Sequence, residues 1–314
     1  MIISASRRTD VPACYSEWFF NRLQAGFVLV RNPWNPRQVS KISLSPEVVD
    51  GFVFWTKNPR PMLPRLKELH AYPYYFQFTL TPYGRDVEPG LPEKQEVLLP
   101  AFRQLSAAVG KERVVWRYDP VFLSNAYTME YHRKAFADMA RQLAGFTETC
   151  TVSFLDLYRD TPGKIRPWGI TPPDARQQRE LLAQFAQTAR QAGMVLDTCA
   201  EPETGQALGV PQAHCIDRAR LARIGGIPLS VERDKHQRPG CGCAASVDIG
   251  AYQTCPHGCV YCYATKRVLT AQEHYQQHDP HSPLLFGRLG PQDRVQERRM
   301  MSHRVTQTNF LGEG

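Results

Sequence analysis

The first two-thirds of the chain alternates short apolar or aromatic runs with stretches whose apolar positions recur at helical spacing. Strands are predicted over residues 1–5, 27–30, 52–55, 74–80, 114–118, 150–157 and 194–198. Helices fall between them. One begins at Ser16 and stops at Gly26; one covers 94–109 and ends at Gly110; one is capped by Thr128 and ends at Gly145. The clearest starts at Thr171 and Pro172, places Leu181, Leu182, Phe185, Ala186 and Ala189 on one face, and ends at Gly193.

This alternation predicts an α/β protein with a parallel sheet and helical crossovers. Two architectures satisfy it, a TIM-like or partial β/α barrel and an open doubly wound sheet. Polar groups close nearly every predicted strand: Arg7 to Asp10, Thr56 to Asn58, Thr79 and Thr81, Arg117 and Asp119, Asp156 and Tyr158, Cys199 and Glu201. A barrel gathers its strand C-termini on one face, where active sites form. An open sheet spreads them along an edge. The barrel accounts better for the repetition, although strand ends are polar in many folds because loops are wet.

The pattern changes after Glu201. Cysteines and glycines crowd in, and helical periodicity fades apart from 216–224. From residue 271 the chain is polar and rich in Gln, His and Arg, with Leu284-Leu285-Phe286 as its clear apolar patch. Three segments are expected: a barrel-like domain over 1–225, a cysteine-rich iron–sulfur module over 226–270, and a tail over 271–314 that packs back on the core.

The 314 residues, 42% hydrophobic and 22% charged, suit one large domain and exclude wholesale disorder. No apolar run is long enough to span a membrane, and the basic residues follow the first short apolar run instead of preceding it, the reverse of a secretion signal. A cytoplasmic protein is expected, in which nine cysteines read as ligands or buried small residues before disulfides. The net charge of +8 points weakly to an anionic partner, nucleic acid or a phosphorylated substrate.

Cys255, Cys259 and Cys262 follow a C-x-x-x-C-x-x-C spacing in a loop that contains Pro256 and Gly258. Such a loop can turn the thiolates towards one point. Three thiolates hold three irons of a [4Fe–4S] cluster and leave the fourth iron open to another ligand. An open coordination position is the mark of a catalytic centre.

The loop, Cys255-Pro-His-Gly-Cys259-Val-Tyr261-Cys262-Tyr-Ala, resembles the cluster loop of the radical S-adenosylmethionine (SAM) enzymes, in particular the branch of spore photoproduct lyase. That resemblance implies SAM on the open iron, reductive cleavage to a 5′-deoxyadenosyl radical, Tyr261 beside the adenine, and a reductant protein such as ferredoxin or flavodoxin. In those enzymes the loop follows the first strand and a Gly-Gly-Glu motif grips SAM. Here the loop lies near the C-terminus, and Gly225-Gly226-Ile227-Pro228 comes closest to the motif. Residues 246–251 are a candidate strand to feed the loop. The full chain also resembles a bacterial family of unknown function, through Ser6-Arg7-Arg8-Thr9-Asp10, Phe54-Trp55-Thr56-Lys57-Asn58 and Trp116-Arg117-Tyr118-Asp119.

Cys199, Cys215, Cys241 and Cys243 are candidates for a second metal site, zinc or another iron–sulfur cluster, against the plainer reading of small buried residues. Cys14 and Cys150 read as inert. Asp10, Lys57, Arg117, Asp119 and Glu201 are the candidate catalytic residues: the basic groups suit carboxylates or phosphates, the acids proton transfer. Taken singly, each reads as a salt bridge at the sheet end. His257 reads as a loop-stabilising group. The alternative to an enzyme is a non-catalytic iron–sulfur or zinc protein that binds nucleic acid or transfers electrons.

Overall fold

The computed structural model describes residues 1–158, 161–199, 201–237 and 240–305; residues 306–314 of the expected tail lie outside them. Seven parallel strands make the main sheet: β1 (Ile2–Ala5), β4 (Gly51–Thr56), β5 (Tyr74–Thr79), β6 (Val114–Val121), β7 (Thr149–Phe154), β8 (Val195–Thr198) and β9 (Ser246–Asp248). From β1 to β8 the spatial order follows the chain, and β9 returns to the free side of β1, pairing Ile2 with Ser246. The order does not reverse about a central switch point, as a doubly wound sheet requires. β2 (Phe27–Arg31), β3 (Gln38–Ser43) and β10 (Arg294–Glu297) form a separate three-stranded sheet.

Side chains of each strand alternate between two unlike faces. Phe52, Phe54, Phe76, Phe78, Trp116 and Tyr118 point into the principal core. There they meet helices α2 (Ser16–Ala25), α3 (Leu99–Val109), α4 (Met129–Leu143) and α6 (Ala175–Gln191), which present Phe19, Phe102, Phe136 and Phe185. The opposite face carries Ile2, Val53, Tyr75 and Val115 along the first halves of the strands. Nearer the strand ends it carries Gln77 and Arg117, both buried.

No sheet closes among the described residues. The closed barrel fails for a packing reason. The face that would become its interior is covered by Ala213, Cys215, Ile216, Leu221, Val231 and Cys243 from the segment between β8 and β9. Tyr75 Oη and Gln77 Nε2 donate to the Cys215 carbonyl at 2.7 and 2.9 Å, which fastens that segment to the sheet.

Helix boundaries follow local chemistry. Asp10 caps a short α1 (Val11–Cys14) ahead of α2, accepting from the Ala13 N–H at 3.0 Å. Thr128 caps α4 as expected. Helix α6 starts at Ala175 instead of Thr171, because Asp174 and Gln177 form a reciprocal capping box while Thr171 bridges to Leu123. Three further helices are α5 (Thr161–Ile165), α7 (Pro202–Ala207) and α8 (Arg218–Gly225). The polar tail holds α9 (Val268–Gln276) and β10. It packs on the N-terminal third: Trp18 Nε1 donates to the Ser282 carbonyl at 2.9 Å, and Arg31 pairs with Asp293 at 2.7 Å. No helix among the described residues is long and apolar enough to cross a membrane.

Candidate metal centre at the strand ends

Parallel strands bring the chain segments after β1, β4 and β8 to one end of the sheet, so Asp10, Lys57 and Glu201 share that end, with Arg117 and Asp119 within β6 itself. Strand β9 delivers the 255–262 loop to the same end.

The loop is pinned on several sides. The Gln253 N–H donates to the Ala264 carbonyl at 3.0 Å, and Cys262 to Cys259 at 3.0 Å. Val260 bonds Val87, and Gly90 bonds His257, at 3.0 and 2.9 Å. Lys164 Nζ donates to the Thr265 carbonyl at 2.7 Å. Gly258 takes a positive φ of 70° that favours glycine.

Gly90 has no room for a side chain, since an added Cβ would lie 2.6 Å from the His257 carbonyl oxygen and 2.7 Å from its Cα. Backbone cannot swing aside as a long side chain can. Gly90→Ala is expected to cost about 1–3 kcal/mol by overpacking. It should also speed alkylation of the buried Cys259. A variant that melts with the wild type and protects Cys259 equally would disprove this coupling.

Cys259 is buried, and Cys255 and Cys262 are half-buried. The three lie in electrostatic reach of one another. Cys14, read as inert, is hydrogen-bonded to Cys255; this bond, opposed by burial and helped by His257, lowers the Cys255 thiol to about 6. His257 Nε2 lies 3.1 Å from Asp10. Burial disfavours the imidazolium, but Cys255 and Asp10 outweigh it and lift the group to about 9. Asp10 also accepts from the Lys57 N–H at 2.7 Å, so one carboxylate ties β1, β4 and the cysteine loop together.

Lys57 does not stand free. Its Nζ is 2.7 Å from the buried Glu88 carboxylate, which also receives Thr81 Oγ1 at 3.0 Å, the Lys94 ammonium and the Tyr261 hydroxyl. The Tyr261 ring packs in a cluster with Tyr83 and Phe122, under the Lys57 ammonium. Arg117 pairs with Asp119, stacks on Trp55 at 5.0 Å and points a guanidinium N–H at Cys215 Sγ, 2.9 Å away. Glu201 accepts from the Phe154 N–H at 3.2 Å; burial, with a contribution from Asp119, lifts its carboxyl to about 7.

A cleft of about 890 Å³ opens beside Cys262, lined among others by Arg8, Tyr158, Lys164, Tyr252 and Tyr263. Its volume lies in the range of small-molecule sites. None of Asp10, Lys57, Arg117, Asp119, Glu201 or Tyr261 lines it. Sequence reasoning missed Glu88, Lys94 and Gly90, and read Cys14 as inert.

The profile described as Domain of unknown function (DUF1848) matches residues 2–264. The chain belongs to that family. The DUF1848 match ends at Ala264, just past Cys262, so it takes in all nine cysteines and leaves the polar tail outside. A search of the curated proteins finds no match. Among the described residues no group of three His, Cys, Asp or Glu side chains is arranged to hold a metal ion. Ligands of one ion must converge on a point, whereas thiolates on separate corners of an iron–sulfur cube stand farther apart.

Proposed function

We propose that this DUF1848 protein is an iron–sulfur protein of the radical SAM type, acting at the end of a partial β/α barrel. The observation that carries the reading is the gathering of Cys255, Cys259 and Cys262, on one multiply pinned loop, beside a ligand-sized cleft that reaches Cys262. The donor set fits: three thiols in mutual electrostatic reach, with two cationic groups close by, His257 at Cys255 and Lys57 at Cys259. Cationic neighbours favour the thiolate forms that iron requires, although in the empty loop burial holds the Cys259 and Cys262 thiols up and only Cys255 is lowered.

Bound there, a [4Fe–4S] cluster with one open iron would supply one-electron reduction of a sulfonium ligand such as SAM. The chain's own residues would do the rest. Arg8 and Lys164 offer charge to an anionic group of a ligand in the cleft, and Tyr158, Tyr252 and Tyr263 offer flat apolar faces to a base. Tyr261 would act from behind the loop, as a support held by Glu88, instead of facing the ligand. The reductant would be a small electron carrier of the ferredoxin or flavodoxin kind.

Cys14 favours a second reading. A fourth thiol, now hydrogen-bonded to Cys255, would have to draw away from it to reach the fourth iron, and the protein would then transfer electrons without SAM. One experiment separates the two. Protein reconstituted without oxygen is reduced and its spectrum recorded with and without SAM, and 5′-deoxyadenosine is assayed. A perturbed spectrum and detectable 5′-deoxyadenosine support the enzyme. An unperturbed spectrum that changes on Cys14→Ala supports electron transfer. Protein that takes up no iron and sulfide, or takes them up equally when Cys255, Cys259 and Cys262 are all alanine, defeats both.

A further inference from the structure

Away from the 255–262 loop, Cys199, Cys215, Cys241 and Cys243 meet from distant parts of the chain: the end of β8, the coil before α8 and the turn before β9. The sulfurs of Cys199 and Cys215 are 3.3 Å apart. Side-chain hydrogen bonds join Cys215 to Cys243 and Cys243 to Cys241. The Ile216 N–H also points at Cys243 Sγ, 3.4 Å away. None of the four is in a disulfide, and all but Cys199 are buried.

Two cations stand beside the four thiols. Arg117, 3% exposed, aims one guanidinium nitrogen at Cys215 Sγ. Asp119 takes another of its nitrogens. Arg7 lies in electrostatic reach of Cys243, Asp248 and Cys215, and its Nη2 is buried without a hydrogen-bond partner. Asp119 and Asp248 answer part of this charge, and Asp248 is shared with Arg8. Four thiolates around a divalent ion carry a net charge of about −2, a sign that guanidinium groups beside the sulfurs favour.

We propose that Cys199, Cys215, Cys241 and Cys243 are the thiolate ligands of a single tetrahedral metal ion of the zinc class, which clasps the 199–245 segment onto the sheet face. The proposal stands apart from the function of the 255–262 loop. Zinc–sulfur bonds of about 2.3 Å set tetrahedral sulfurs about 3.8 Å apart. The Cys199–Cys215 separation is close to that edge and too short for ligands of two different irons in a cube. The thiols form a hydrogen-bonded row, short of a closed tetrahedron, so no three of them converge on one point as they stand, and binding requires the row to close. Metal binding replaces the S–H···S contacts with metal–sulfur bonds and releases the thiol protons to solvent.

Gly242 suits the closure. It separates the two cysteines of the 241–243 turn, and its carbonyl accepts from His214 Nδ1 at 2.6 Å. A Cβ there would lie 2.7 Å from that ring, so the exposed His214 side chain would have to swing aside.

The test uses the full chain, purified without oxygen, with zinc and cobalt as probes. Wild-type protein is expected to hold about one zinc per chain. Cobalt exchanged into the site should give intense thiolate-to-metal absorption. The variant with alanine at Cys255, Cys259 and Cys262 should keep both signals, which separates this site from the loop. Cys215→Ser should lose them. Because that buried substitution can also disturb folding, Cys199→Ser, at the less buried end of the row, serves as the second variant and should weaken binding at least tenfold. The proposal is overturned if no thiolate–cobalt absorption appears, if neither serine variant changes it, or if the loop variant still carries iron and sulfide bound by these four cysteines.

Discussion

Replacing Glu88 with alanine should lower the stability of the protein by about 3–5 kcal/mol at pH 7, the cost of leaving buried charge unpaired. Glu88 is 1% exposed, and among the described residues its carboxylate is the one anion bonded to Lys57 Nζ and Lys94 Nζ. Without it two ammonium groups face each other inside the fold. Glu88→Gln keeps the shape but removes the charge, so most of the loss should persist. The pH dependence gives an independent signature. Burial alone would raise the Glu88 pKa, but the two lysines outweigh it and hold the group near 2, against an ordinary 4.5. A depressed carboxyl contributes its stability in full above the unfolded value and loses it as pH falls through the folded one. The gap between wild type and Glu88→Gln should therefore be constant above about pH 4.5 and close towards pH 2. Urea unfolding across that range measures it. A gap that stays open at pH 2, or one below 1 kcal/mol at pH 7, would show that the lysines do not depend on Glu88.

The parallel sheet was legible because its strands carry their own signal. Phe52-Val53-Phe54 and Val114-Val115-Trp116 are buried on both faces, so they read as continuous apolar runs bounded by turn residues. Closure was not legible. It depends on what covers the second face, and the covering segment, Ala213 to Ala245, has little periodicity of its own. Its large apolar side chains, Ile216, Leu221 and Val231, are scattered among small and polar ones, and it is held by side-chain bonds to its backbone such as Tyr75 to the Cys215 carbonyl. The strand β3 was missed for a related reason. Gln38–Ser43 alternates buried and open positions weakly, and it is completed by β10 from more than 250 residues away, paired Val39 to Val295.

At the strand ends, the sequence located the groups but not their partners. Asp10, Lys57 and Arg117 were chosen as candidate catalytic residues, each of which taken singly reads as a salt bridge at the sheet end. Each is bonded within the protein: Asp10 to the Lys57 N–H and His257, Lys57 to Glu88, Arg117 to Asp119 and Cys215. Glu88 in the turn Asp86-Val87-Glu88-Pro89-Gly90 gives no sign of the lysines it will meet. The cysteines were the opposite case. Sulfur is scarce enough that spacing alone marked the 255–262 loop, and composition alone marked the second set, although nothing in one dimension placed Cys14 against Cys255.

Asp119→Ala should destabilise the protein more than Arg117→Met, although Asp119 is the more exposed partner. The side chain of Arg117 is 4% exposed and that of Asp119 25%. Removing the carboxylate leaves a buried guanidinium with its charge uncompensated, at about 3–5 kcal/mol. Removing the guanidinium leaves a carboxylate that water already reaches, and a methionine fills the space over Trp55, at about 1–2 kcal/mol. The double variant should be no worse than Asp119→Ala, because it strands no buried cation. The four-thiolate ion adds a further consequence. Negative charge at Cys215, 2.9 Å from Arg117, would keep the guanidinium compensated after Asp119 is gone. The cost of Asp119→Ala should then be smaller in zinc-loaded protein than in protein stripped by a chelator, while the cost of Arg117→Met should rise on loading. Denaturant unfolding of both forms measures the difference. Equal costs in the two forms would separate Arg117 from the cysteines and leave Asp119 as its sole electrostatic partner.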